Sequence, residues 1–180
     1  MIVDCIYTIL FLCYLQLDIA LILWLCSCLV TAYMLSSDMK RNLVIDTCIL
    51  VTALLSENGA SREILRRCLK GEYIVNMGAA LYLEYESLLS RDKVFDKCVL
   101  SQYEREELLN AFFSVCKWVN VYYLLRPNLK DEADNHLIEL AVAGGCDAIV
   151  TNNVKNFKQS QLLFPEIKII QPSQLIKGEL

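Results

Sequence analysis

Leu43-Val44-Ile45-Asp46-Thr47-Cys48-Ile49-Leu50 sets a carboxylate at the junction of two apolar runs. The first run, Leu43–Ile45, is too short for a helix and reads as a buried strand. Asp46 or Thr47 can then cap a helix over Thr47–Leu55, which Ser56-Glu57-Asn58-Gly59 ends. Outward from this junction the alternation continues. Ser61–Leu69 reads as a helix with Ile64, Leu65, Cys68 and Leu69 on one face, closed by Gly71. Tyr73–Val75 is a second strand and Ala79–Leu89 a third helix. Ser101-x-x-Glu104 is a capping box that opens a helix to about Cys116. Val119–Tyr123 reads as a strand, and Pro127 breaks the chain. Asp131 or Glu132 starts a helix to Ala143, ended by Gly144-Gly145; strands at Ala148–Val150 and Ile167–Ile170 follow. Pro172 stops the last strand before a short terminal helix. Apolar strands alternating with helices predict an α/β fold, a three-layer α/β/α sandwich with a central parallel sheet.

The chain has 180 residues, enough for one domain with a substantial core. Its apolar fraction of 56% exceeds the roughly 45–50% of ordinary soluble domains, and the excess is local. Residues 1–38 contain no Lys or Arg, and only Asp4, Asp18 and Asp38 are acidic. All 17 basic residues fall after residue 38, with 18 of the 21 acids, so residues 39–180 are nearly neutral. This segment, 1–38, is read as an apolar leader preceding a domain at 39–180. The preferred expectation is that translation begins at Met39, giving a cytoplasmic protein. The alternative is a membrane anchor, with Lys40 and Arg41 holding the domain on the cytoplasmic side. Nine scattered cysteines with no C-x-x-C, and a single histidine, His136, argue against a zinc site and fit a reducing compartment.

The candidate chemistry lies in acids at the ends of strands and in the helices that follow them. Asp46 follows the first strand, Glu84 lies in the third helix, and Asp131 and Asp134 open a later one. Asn152 and Asn153 follow Ala148–Val150. Sites in parallel sheets gather at the carboxyl ends of strands, and converging carboxylates repel one another and call for a divalent cation. Each residue also has a simpler use. Asp46 and the Asp131/Asp134 pair suit helix caps, and the two asparagines suit a turn. Arg62, Arg66 and Lys70 form a basic stripe that could meet RNA phosphates, although a solvated helix face is the simpler account. His136 is expected on a helix surface, and the pairs Phe112-Phe113 and Tyr122-Tyr123 in the core. No glycine-rich nucleotide-binding motif is present.

Taken together, the blocks around Asp46-Thr47, Leu83-Glu84-Tyr85-Glu86, Asp131-Glu132-Ala133-Asp134 and Asp147-Ala148-Ile149-Val150-Thr151-Asn152-Asn153 resemble the PIN-domain family, of the kind found as toxins of type II toxin–antitoxin modules. The resemblance covers residues 43–176. It implies metal-dependent endonucleolytic cleavage of RNA with Mg²⁺ or Mn²⁺. By position, Asp46, Glu84 and Asp134 resemble the metal-holding acids, and Asp131 an additional ligand or water-holder. Thr47 and Thr151 resemble supporting hydroxyls. Asn153 stands where many relatives have a fourth Asp, which lowers the charge of the site by one. The implied partners are an RNA substrate, a cognate antitoxin protein and a second copy in a homodimer; a membrane enters only through residues 1–38. The alternative is a catalytically impaired PIN-like module that binds RNA or protein.

Overall fold

A computed structural model describes residues 40–56, 58–157 and 163–178. The apolar segment 1–38, on which the leader and anchor expectations rest, lies outside the described residues. Among those described, no helix is long and apolar enough to cross a membrane.

Five strands form one sheet: β1 (Asn42–Ile45), β2 (Ile74–Met77), β3 (Lys117–Trp118), β4 (Ala148–Val150) and β5 (Lys168–Ile170). All four pairings are parallel, and the order is β3-β2-β1-β4-β5. The chain thus builds outward from β1 to β3, then returns to the other side of β1 for β4 and β5. That reversal puts a switch point between β1 and β4, where open parallel sheets leave a crevice at their carboxyl ends. Helices α1 (Thr47–Leu55), α2 (Ala60–Leu69), α3 (Ala79–Leu89), α4 (Gln102–Ser114), α5 (Asn135–Gly144), α6 (Val154–Phe157) and α7 (Pro172–Ile176) complete the α/β/α architecture. Helix α5 packs across β1, β2 and β4, while α2 packs against α1, α4 and α7.

The strands are buried on both faces, as their continuous apolar runs require: Leu43, Val44, Ala148, Ile149 and Val150 have no exposed surface. Thr47–Leu55 and Ala79–Leu89 are helices over the expected residues. The capping box at Ser101 and Glu104 is formed, with each side chain bonded to the other's backbone N–H. Gly145 ends α5 with φ 59°, a left-handed conformation that glycine adopts without strain.

Four expectations are corrected. The second strand runs on through Asn76 and Met77, where the buried Asn76 Nδ2 donates to Asn42 Oδ1 at 2.8 Å and to the Leu43 carbonyl at 3.3 Å. The third strand is Lys117–Trp118, and Val119–Tyr123 is not a strand. Its partner β2 ends at Met77, opposite Trp118, so the ladder closes with Val119 N–H donating to the Met77 carbonyl. Beyond that point Tyr122 and Tyr123 are 80% and 83% exposed; this aromatic pair is not core, whereas Phe112 is buried. Finally, a 3-10 turn at Glu132–Asp134 precedes α5, which begins at Asn135. Asp131 caps that turn by accepting from Ala133 N–H at 3.1 Å.

The segment after β3 is held by Glu139 of α5. This buried carboxylate accepts from Leu125 N–H at 2.9 Å and from Arg126 Nε and Nη2 at 3.0 and 3.3 Å. At the carboxyl end of β1, the fully buried Tyr85 hydroxyl donates to the Ile45 carbonyl at 2.8 Å. That carbonyl lies beyond the β1–β2 register pairs and immediately before Asp46. Tyr85→Phe leaves it unpaired in the core, so unfolding free energy falls by about 1–2 kcal/mol. A urea titration of the two proteins measures this, and an unchanged midpoint refutes the anchoring role.

Candidate active site

Asp46 sits at the carboxyl end of β1, its N–H bonded to the Val150 carbonyl of β4 at 3.0 Å. Its helix-cap role is real: Oδ1 accepts from Cys48 N–H at 3.1 Å. Its other oxygen, Oδ2, accepts from the Thr151 hydroxyl at 2.6 Å. Thr151 has no exposed surface and also accepts from Asn153 N–H at 2.9 Å, so its one proton is directed to Asp46.

Thr47 stands between two carboxylates. Its hydroxyl is 2.7 Å from Glu84 Oε1 and 3.3 Å from Asp46 Oδ1. One hydroxyl has one proton, and the shorter contact marks Glu84 as its acceptor. Glu84 comes from the middle of α3 and meets His136 on its other oxygen. Nε2 of His136 lies 3.1 Å from Glu84 Oε2, at ion-pair distance and off the line of a hydrogen bond.

His136 is not the surface residue expected from the sequence: its side chain is only 13% exposed. Its Nδ1 is 2.6 Å from the Ala133 carbonyl, which can only accept, so Nδ1 carries a proton. The nitrogen facing Glu84 therefore attracts a second proton, and the ring is set up as a cation. Burial pulls the His136 pKa down, but the Glu84 carboxylate, the Ala133 carbonyl and the charge of Asp134 outweigh it and hold the group above 6.5. The same contact with His136, helped by the Thr47 hydroxyl, holds the Glu84 carboxyl below 4.5.

Asp134 joins this neighbourhood from the turn before α5. Burial raises its carboxyl above the ordinary value, and the nearby charges of Asp131 and Asp46 raise it further. Asn156 of α6 opposes this by donating from Nδ2 to Asp134 Oδ2 at 3.1 Å. Burial, followed by the Asp46 charge, also pushes the Cys48 thiol up to about 12.

The fold therefore brings Asp46, Glu84 and Asp134 to the switch-point edge, with Thr47 and Thr151 beside them and Asp131 at the rim. Asn152 turns toward α1, where Nδ2 donates to the Thr52 hydroxyl at 3.1 Å. Asn153 is exposed, and its backbone carbonyl accepts from Asn156 N–H. Arg62 and Arg66 are occupied elsewhere. Arg62 donates to the Ala53 carbonyl in the last turn of α1, remote from Asp46, and Arg66 pairs with Glu63; Lys70 caps the far end of α2. Sequence reasoning missed His136 and Asn156 as partners of the acids. The signal for His136 was its place two residues after Asp134.

The residues suit a hard divalent cation in kind. The three acids offer oxygen donors, and the repulsion felt at Asp134 shows a local shortage of positive charge. Their present side-chain arrangement is held by Thr47, Thr151, His136 and Asn156. Among the described residues no three acidic, His or Cys side chains close around a common point.

The PIN-domain family model matches residues 42–155, well over half of the chain. This protein belongs to the PIN-domain family. No curated protein matches it. Solved structures similar to this PIN domain include VapBC2 from Rickettsia felis bound to a DNA fragment from their promoter, with a TM-score of 0.51. DNA-bound VapBC from Salmonella typhimurium has a TM-score of 0.50. Each is 14% identical, and each alignment covers 73% of this chain and 98% of the other. At that identity the likeness is one of fold.

The ion pair has a defined pH window. The Glu84 contribution to stability is complete above 4.5 and lost as pH falls through its lowered folded value. The His136 contribution is complete below 6.5 and lost as pH rises through its raised folded value. Both are complete between those limits. Glu84 is 42% exposed, so solvent screening keeps the effect small. In EDTA, His136→Gln should lower the melting temperature by a few degrees in that window, and the difference should close as pH rises through the raised His136 value. Melting curves across pH test this; a difference that does not vary with pH means that His136 is neutral.

Proposed function

We propose that this PIN domain is a metal-dependent endoribonuclease that hydrolyses RNA phosphodiester bonds, and that it is the toxin of a toxin–antitoxin pair. The observation that carries the reading is the meeting of Asp46, Glu84 and Asp134 at one edge of the sheet, with Thr47 within reach of both Asp46 and Glu84. Family membership supports the nuclease class.

Asp46, Glu84 and Asp134 are the residues that would hold Mg²⁺ or Mn²⁺. Such an ion, when bound, lowers the pKa of its water and offsets charge developing on the phosphate. The chain's own residues supply the orientation. Thr151 fixes one oxygen of Asp46, and Cys48 N–H fixes the other. Thr47 fixes Glu84. Asp131 is exposed and only its Oδ1 is used by the cap, which supports a role for its other oxygen in orienting or deprotonating the attacking water.

The likeness to two VapBC structures supports an antitoxin as the protein partner and leaves a homodimer as the proposed assembly. A cleft of about 390 Å³ next to His136, lined by Ala80, Val121, Leu124 and Leu140, gives an apolar antitoxin segment a place to sit. A second reading, a catalytically impaired RNA- or protein-binding module, is favoured by two features. His136 already neutralises Glu84, and Asn153 replaces an expected acid.

The deciding experiment is cleavage of a mixed single-stranded RNA pool with Mg²⁺ or Mn²⁺, with EDTA, and with Asp46→Asn. Cleavage should need the metal and fall at least roughly 100-fold in Asp46→Asn, with Thr151→Ala costing about 10-fold through its hold on Asp46. Folded protein that cuts nothing with either metal supports the binding module instead.

A further inference from the structure

Of the cations the sequence offered as a weak RNA contact, Arg62 and Arg66 are engaged away from the acids and Lys70 caps the far end of α2, and the structure offers two others. Lys130 precedes Asp131 in the loop before α5, and Lys155 lies in α6. These segments come from opposite sides of α5 and β4 in the sequence, yet Lys130, Asp131, Lys155 and Asn156 line one open cleft of about 460 Å³. Both lysines are exposed, and neither forms an ion pair among the described residues. The cleft adjoins the candidate active site through two of its own walls. Asp131 raises the pKa of Asp134, and Asn156 donates to Asp134 Oδ2.

We infer that the Lys130/Lys155 cleft is a phosphate subsite, which holds the backbone of single-stranded RNA one or a few nucleotides from the bond at the carboxylates. This rests on the nuclease reading for the identity of the strand. The physical need is plain. A polyanion approaching three carboxylates is repelled, and cations at the rim offset that repulsion. Of the other cations, His136 pairs with Glu84 and Arg126 with Glu139, while Arg91 acts on Glu84 from the end of α3. Lysine suits the task because a flexible stem carries a compact charge that needs no fixed geometry. Phosphate contacts of this kind position a strand without reading its bases. Asn152 and Asn153, which lead into α6, add no negative charge beside Lys155.

The test is fluorescence anisotropy of a labelled single-stranded RNA of mixed sequence with the full chain in EDTA, so that binding is read without cleavage. In the double variant Lys130→Gln/Lys155→Gln, affinity should fall about 20-fold at 0.1 M salt, and the slope of log affinity against log salt should flatten by about 1.4. Lys130→Arg/Lys155→Arg should bind as wild type does, which separates charge from local shape. Arg62→Gln/Arg66→Gln should also leave binding unchanged. Wild-type affinity and salt slope in the lysine-to-glutamine variant overturn the subsite. The two readings fail separately. A protein that binds RNA through these lysines and never cuts it keeps the subsite and loses the nuclease. A protein that cuts RNA with unchanged KM after both lysines are removed keeps the nuclease and loses the subsite.

Discussion

β1 is hydrogen-bonded on both sides, to β2 and to β4, and buried on both faces. It cannot slip by one residue without breaking two ladders and re-aiming Leu43, Val44 and Ile45. Asp46 is the next residue, so the position of the first acid is set by the most constrained strand in the molecule. The Tyr85 hydroxyl on the Ile45 carbonyl and the Val150 carbonyl on Asp46 N–H carry that constraint past the end of the strand. The remaining acids are then placed by helices that pack on or follow this centre: Glu84 by α3, and Asp134 by the turn into α5.

Two kinds of partner hold these carboxylates, and they differ in what they leave behind. Thr47, Thr151, Cys48 N–H and Asn156 fix the oxygens while leaving the negative charge in place. His136 brings a positive charge instead, and it brings it to Glu84. Burial first, and then the charges of Asp131 and Asp46, hold the Asp134 carboxyl above its ordinary value. An edge built this way is oriented in advance and short of positive charge, a state suited to receiving a cation.

The strands and helices were legible where burial and capping act locally. Leu43–Ile45 could only be a short buried strand, and Asp46 and Ser101 cap as their side chains dictate. What failed depended on lengths and neighbours that lie far away in the sequence. Val119–Tyr123 has strand-like residues, but its partner strand runs out at Met77, and no local signal in 119–123 reveals that. Tyr122 and Tyr123 were misplaced for the same reason. Asn76 looked like the end of a strand because its buried partners, Asn42 and Leu43, are some thirty residues back. In the site, the acids were legible as types, Asp46 at a strand end and Glu84 and Asp134 on the helical segments. His136 was not, because its role comes from α3 meeting the start of α5. The stripe of Arg62, Arg66 and Lys70 was correctly placed along one helix, but a helical repeat cannot tell which cations are already engaged.

The sulfur chemistry follows from packing. Burial pushes the thiols of Cys48, Cys68, Cys116 and Cys146 up to about 12, and the five described cysteines are free. A thiol is attacked or oxidised as thiolate, so at neutral pH these sulfurs are nearly inert while the fold is closed. Their reactivity is therefore a clock for opening rather than a property of the thiols. Cys48 lies between Asp46 and Asn152, so its clock would time the loosening of the sheet edge that carries the acids.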